Sequence, residues 1–385
     1  MTNNYIFLIL NKIKKILFLT GTRADFGKIK SLISIVDENP NFEVHVFVTG
    51  MHLQKEYGYT LIEIERCKFK NVHTFENHTH ETTMDLTLAK TIEGLSSYCK
   101  NVQPDLIIVH GDRVETLAGA IVGSLNNILV AHIEGGELSG TVDELIRHSV
   151  SKLSHIHFVS NNEAAKRLVQ MGEMESSIFT IGSPDIDIMF SDDLPELETV
   201  KKYYEIDFED FAIAMFHPVT TEANEMKQYA ANFVAALQKD THNYVVIYPN
   251  NDLGSQFIIN EYLNLTENKR FRIFPSVRFE YFLTLLKNAQ FIIGNSSAGI
   301  REAPYYGVPI INIGTRQQNR AVHADIINVD YAKESILDAL KTIDLHKVQS
   351  VQSDFGEGNS TQLFVKAVEN KDIWKINHQK QFRDS

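Results

Sequence analysis

Ile16-Leu17-Phe18-Leu19-Thr20-Gly21-Thr22-Arg23-Ala24-Asp25-Phe26-Gly27 is an apolar run that stops at a glycine and opens into a polar turn. Just downstream, Ile29, Leu32, Ile33 and Val36 fall at i, i+3, i+4 and i+7, one face of a helix. A run without a polar face suits a strand covered on both sides by helices, as in a parallel sheet. The same alternation recurs with apolar runs at 44–49, 106–110, 129–133, 156–160 and 178–181. It pauses at Gly182-Ser183-Pro184 and the acidic segment Ser191-Asp192-Asp193-Leu194-Pro195, then restarts at 211–216, 244–248, 271–274, 291–294 and 309–314. The reading is an α/β chain with two Rossmann-like domains facing a cleft. They span 14–190 and 191–365, and a terminal segment, 366–385, is free to pack back on the first domain.

Length and composition agree. The chain has 385 residues, 43% hydrophobic and 22% charged, long enough for two cores. Its 49 acidic against 37 basic side chains leave a net charge of −12, which disfavours a nucleic-acid partner. Cys67 and Cys99 form no CxxC pair and no zinc-type spacing, so no metal is expected and a cytoplasmic location fits. The apolar run from Tyr5 breaks at Asn11 and Lys12, so 1–13 reads as an extension rather than a signal peptide. No stretch approaches the roughly 20 apolar residues of a membrane span.

In open α/β sheets, chemistry sits in loops beyond the carboxyl ends of the strands. The first such loop holds Arg23 before a helix start, a place for a phosphate, though it carries neither GxGxxG nor a P-loop. His110-Gly111-Asp112-Arg113 and His132-Ile133-Glu134-Gly135-Gly136-Glu137 end two further strands. Thr141-Val142-Asp143-Glu144 is a capping box opening a helix, with Asp143–Arg147 and Glu144–His148 spaced as i, i+4 pairs. Helix-start chemistry alone would explain Asp143. Asp112, Glu134 and Asp143 nevertheless come from three successive loops on one edge, and gathered carboxylates can have their pKa values pushed apart into an acid and a base. In the second half His217 follows the first strand. Ser296 and Ser297 precede a helix whose start forms an anion site. Glu302, a turn further on, is placed to accept from a ribose diol or to lie on the surface. Arg316 ends the last strand.

Together GTRADFGKIK, TGMHL, VHGDR, HIEGGELSGTVDELIRH, FHPVTT, YPNND, GNSSAGIREAPYYGVPIINIGTRQ and FGEGNS resemble, in order, the hydrolysing UDP-N-acetylglucosamine 2-epimerases of bacterial sialic and legionaminic acid synthesis. The resemblance covers residues 14 to 359. It implies a glycosyltransferase-B-like fold, Asp112, Glu134 and Asp143 as catalytic carboxylates, and His217 near the diphosphate. It also assigns Arg23, Ser296, Ser297, Glu302, Arg316, Asn250 and Val277 to the nucleotide. The wider superfamily has Glu-Glu where this chain has Asp143-Glu144. The implied reaction eliminates UDP across C1–C2 to a glycal, then hydrates it to the epimeric free sugar without a cofactor. The implied sugar is GlcNAc or its N,N'-diacetylbacillosamine analogue on UDP or GDP, and the implied assembly a homodimer or homotetramer. The alternatives are a non-hydrolysing epimerase, a glycosyltransferase of the same architecture, and a nucleotide-sugar binding protein without activity.

Overall fold

The structure is a computed structural model that describes residues 13–78, 83–139, 142–317, 326–345, 348 and 355–380. Thr141 of the capping box and the first twelve residues of the N-terminal extension lie outside them.

The first sheet has seven strands: β1 (Lys14–Thr20), β2 (Phe42–Val48), β3 (Val72–Thr74), β4 (Leu106–His110), β5 (Leu129–Ile133), β6 (Ile156–Val159) and β7 (Ile178–Thr180). Their order is β3-β2-β1-β4-β5-β6-β7, and every neighbouring pair is parallel. The second sheet has six: β8 (Ala212–Met215), β9 (Tyr244–Ile247), β10 (Phe271–Phe274), β11 (Ile292–Gly294), β12 (Ile310–Ile313) and β13 (Ile326–Val329). It runs β10-β9-β8-β11-β12-β13, again all parallel. Each predicted run corresponds to a strand. β3 and β13 have no counterpart in the sequence reading, and 309–314 is therefore not the last strand.

Every residue of β4 and β5 is buried, as their unbroken apolar runs require, between helices on both faces. In each sheet the strand order reverses beside the first strand, between β1 and β4 and between β8 and β11. Loops diverge at such a switch point and leave a crevice, so the fold opens one at each half.

The helix Ser360–Glu369 returns to the first sheet, where Phe364 and Val368 are fully buried in its core and the Phe364 ring meets Phe158 edge-on at 4.9 Å. Beyond it, Trp374 packs on Phe42, and Lys380 donates to the carbonyls of Lys152 and Ser154 and to Glu173. Among the described residues no helix is long and apolar enough to cross a membrane.

Candidate active site

The loop after β1 is built around Asp25. Thr22 caps the helix Arg23–Asp37 by accepting from the Asp25 N–H, and Asp25 Oδ2 accepts from the Gly21 N–H (3.0 Å) and Thr20 Oγ (2.8 Å). Its other oxygen, Oδ1, lies 2.9 Å from Nδ1 of His110, the last residue of β4. Gly111 then turns with φ +76°, and Asp112 follows. Asp112 Oδ2 accepts from Arg147 and, at 3.1 Å, from Ser139 Oγ. Arg113 does not fold onto its neighbour. It crosses to the second half and donates to Asn251 Oδ1 at 2.6 Å, with Asp252 at 3.5 Å.

Glu134, immediately after β5, has φ +63°, a left-handed conformation that costs a non-glycine residue about 1 kcal/mol or more. Two contacts hold its backbone there, since its N–H donates to the Phe158 carbonyl and its own carbonyl accepts from Arg147, and the residue is buried. Oε1 accepts from Arg301 (2.5 Å) and Ser183 and lies 3.8 Å from Lys28 Nζ. Oε2 faces His110 Nε2 at 3.4 Å. Burial alone would raise the carboxyl pKa, but Arg301, Lys28 and His110 outweigh it and hold Glu134 ionised well below the usual range. Asp143, in the first turn of the helix Val142–Leu153, is treated oppositely. Burial and the negative Asp112 beside it raise its pKa, and Arg316, 3.4 Å away, opposes this only in part.

Arg147 does not serve the predicted Asp143 pair; its guanidinium goes to Asp112 and the Glu134 carbonyl. The i, i+4 pair Glu144–His148 is present at 3.6 Å.

From the second half, His217 follows β8. Its N–H donates to Asn295 Oδ1 (2.6 Å), and its Nδ1 accepts from the Asn250 N–H (3.1 Å). That bond leaves the proton on Nε2. Burial, followed by Arg316 and Arg113, holds the pKa well below 6.5, so His217 is a neutral donor. Gly294, with φ +135°, lies so close to β8 that a Cβ there would meet the Met215 carbonyl oxygen at 1.9 Å. The helix after Ser296 and Ser297 is one turn, Ala298–Arg301, shorter than the sequence implies. Glu302 is no surface residue: it is 3% exposed, 3.4 Å from Lys28 Nζ, and burial raises its pKa.

All eleven residues singled out from the sequence line one cavity of about 290 Å³: Arg23, Asp112, Glu134, Asp143, His217, Asn250, Val277, Ser296, Ser297, Glu302 and Arg316. Six more charged side chains share that wall, namely Asp25, Lys28, His110, Arg113, Arg147 and Arg301. Lys28 carried a signal, because it lies among buried positions of a helix, between Gly27 and Ile29, where an unpaired lysine is costly. Arg301, stacked on Phe355 at 4.5 Å and paired with Glu134 and Glu137 across the cleft, carried none, since these two carboxylates are more than 160 residues away in the chain. No grouping of His, Cys, Asp and Glu that could hold a metal is found among the described residues.

Two parallel-sheet halves whose switch points share a carboxylate-lined cleft define a glycosyltransferase-B-like α/β protein. The family model described as UDP-N-acetylglucosamine 2-epimerase matches residues 34–369, and the chain belongs to that family. It is 50% identical over 375 residues to the UDP-N-acetylglucosamine 2-epimerase of Neisseria meningitidis serogroup B, covering 96% of this chain and 99% of the relative. It is 32% identical to the UDP-N,N'-diacetylbacillosamine 2-epimerase (hydrolyzing) of Legionella pneumophila, covering 91% and 94%. Among solved structures, the fold matches the Methanocaldococcus jannaschii UDP-GlcNAc 2-epimerase in complex with UDP-GlcNAc and UDP. That match has a TM-score of 0.78 at 22% identity and covers 92% of this chain and 99% of the other. A Neisseria meningitidis UDP-GlcNAc 2-epimerase bound to UDP-GlcNAc matches with a TM-score of 0.77 at 18% identity and the same coverage.

Proposed function

We propose that the chain is a hydrolysing 2-epimerase that converts UDP-GlcNAc to free N-acetylmannosamine and UDP in the cytoplasm, as a homodimer or homotetramer, without metal or cofactor. The observation that carries this reading is one cavity holding Glu134, kept ionised, and Asp143, kept ready to bind a proton. Epimerisation needs a group that takes the C2 proton and a different group that returns one from the other face. Asp143 takes the proton as the C1–O bond to the nucleotide breaks. Arg23, Arg316, the neutral His217 and the Ser296–Ser297 turn meet the charge that develops on the diphosphate. Glu302, Asn250 and Val277 face the nucleoside. Water then adds at C1 of the glycal. In this reading 14–190 supplies the carboxylates and 191–365 the nucleotide-side donors, with 366–385 as the terminal segment.

A substrate of the diacetylbacillosamine type, for legionaminic rather than sialic acid synthesis, is the second reading; the name of the Legionella relative favours it. Turnover of both nucleotide sugars side by side, with product analysis, tests the proposal. Free sugar and UDP in equal amounts are expected, with one deuterium at C2 when the reaction is run in D2O. An epimer that stays nucleotide-linked would establish the non-hydrolysing reaction. A product without deuterium at C2 would point to a transferase.

A further inference from the structure

His110 has no part in the reaction as written above, yet it is the most heavily engaged histidine in the cleft. Its imidazole lies between two carboxylates, Asp25 Oδ1 at 2.9 Å from Nδ1 and Glu134 Oε2 at 3.4 Å from Nε2. The ring is buried and lines the cavity, and among the described residues Nε2 makes no hydrogen bond. Asp25 cannot turn away, because its second oxygen is held by Gly21 and Thr20. Glu134 Oε1 is occupied by Arg301 and Ser183, which leaves Oε2 as the oxygen shared by His110 and the cavity. This is the geometry of an oriented acid behind a carboxylate: one anion fixes the ring and its tautomer, and the opposite nitrogen points at the working group.

We propose that Asp25 and His110 form a proton relay that recharges Glu134 for delivery to C2 of the glycal. This rests on the hydrolytic reading above. The groups facing His110 are Asp25 on the first helix and Glu134 after β5, with Lys28 and Arg301 beyond Glu134. On β5, His132 donates to the Gly111 carbonyl and stays neutral, its pKa lowered to about 3 by burial. The two anions overcome the burial of His110 and raise its pKa to about 9, so its proton is in place at neutral pH. In the hydration step His110 Nε2 gives its proton to Glu134 Oε2, which passes it to C2 as the C1=C2 electron pair forms the new C2–H bond, so Glu134 begins and ends the step ionised and His110 ends it neutral. The water oxygen bonds to C1, and its proton goes to the diphosphate of UDP. The proton that Asp143 took from C2 exchanges with solvent, from which His110 is refilled, so atoms and charge balance over one turnover.

The test follows UDP, glycal and free sugar separately by proton NMR for the wild type, His110→Gln and Asp25→Asn on UDP-GlcNAc. Elimination does not need the relay and hydration does. His110→Gln should therefore release UDP with the glycal accumulating, while free-sugar formation falls about 100-fold or more. Asp25→Asn should move the alkaline limb of kcat down from near 9 by about one unit, with KM within about threefold of wild type. Should His110→Gln fail to fold, Asp25→Asn carries the test. Equal UDP and free sugar at the wild-type rate from His110→Gln, or an unmoved alkaline limb in Asp25→Asn, overturns the relay. Failure of the hydrolytic reading looks different: the wild type itself would then form no free sugar.

Discussion

Glu134 and Asp143 carry the same functional group, and their surroundings drive them apart. Glu134 has two cations and a histidine around it, and Asp143 has an anion at its side. Replacing Glu134 by Gln removes one anion from beside Lys28 and Arg301, which keep Asp185, Glu302 and Glu137, and losing such a charge-assisted contact costs about 1.5–3 kcal/mol. The sign of its pH dependence follows from the depressed folded-state pKa. The stabilisation is fully present above the unfolded value, about 4.3, and fades as pH falls toward the folded one. Urea unfolding of wild type and Glu134→Gln should therefore show a constant gap from pH 5.5 to 7 that closes below about pH 4. A gap that widens on acidification would mean that Glu134 is not ionised in the native state. Asp112 offers a kinetic counterpart. Asp112→Asn keeps the Ser139 contact but loses its charge opposite Arg147, and turnover should drop by about 10²–10⁴. UDP affinity measured by calorimetry should change little, because the diphosphate donors lie on the other half; a proportional loss of UDP binding would place Asp112 on the nucleotide instead.

Elements buried on both faces were legible because burial leaves an unbroken apolar run, as in Leu106–His110, and edge elements were not. Val72–Thr74 is three residues long with two of them exposed, and Ile326–Val329 is partly covered, so neither carries a pattern that separates strand from loop. The same logic explains the site. Residues at strand ends, such as Asp112, Glu134 and His217, were found because topology sends strand ends to the crevice. Lys28 and Arg301 were not, because their roles depend on partners that only the folded chain brings together. The helix Val142–Leu153 illustrates a further long-range dependence. It carries Asp143 and Arg147 toward the cleft, and its far end is closed by Lys380, which donates to the Ser151, Lys152 and Ser154 carbonyls and to the buried Glu173. A cation on the last carbonyls of a helix stabilises it by up to about 2 kcal/mol. Lys380→Ala should lower the thermal midpoint by several degrees, and Lys380→Arg should restore most of it. An unchanged midpoint in the alanine variant would show that the terminal segment is not fastened there.

At the scale of the molecule, the charge of −12 is compatible with an anionic ligand because cations from both halves converge on one cleft, and the halves themselves meet through small residues as well as charges. Lys30 pairs with Glu280 at 2.8 Å, and Arg113 reaches Asn251. Between these contacts Gly27 on the first helix lies directly against Phe279 of the second half, where an added Cβ would come within 2.5 Å of the Phe279 Cβ. Inside an isolated helix alanine would be better than glycine by about 1 kcal/mol, so the glycine serves the approach of the two halves rather than the helix. Gly27→Ala should accordingly leave each half folded, with a thermal midpoint near wild type, while holding the halves apart. The substrate then binds only the closed minority. A tenfold reduction of that population raises the apparent KM about tenfold. Steady-state kinetics and small-angle scattering should move together, with a higher KM and a larger radius of gyration that nucleotide sugar reduces. A variant with wild-type KM and an unchanged scattering profile would show that the contact at Gly27 does not control closure, and that the ion pairs alone set how the halves meet.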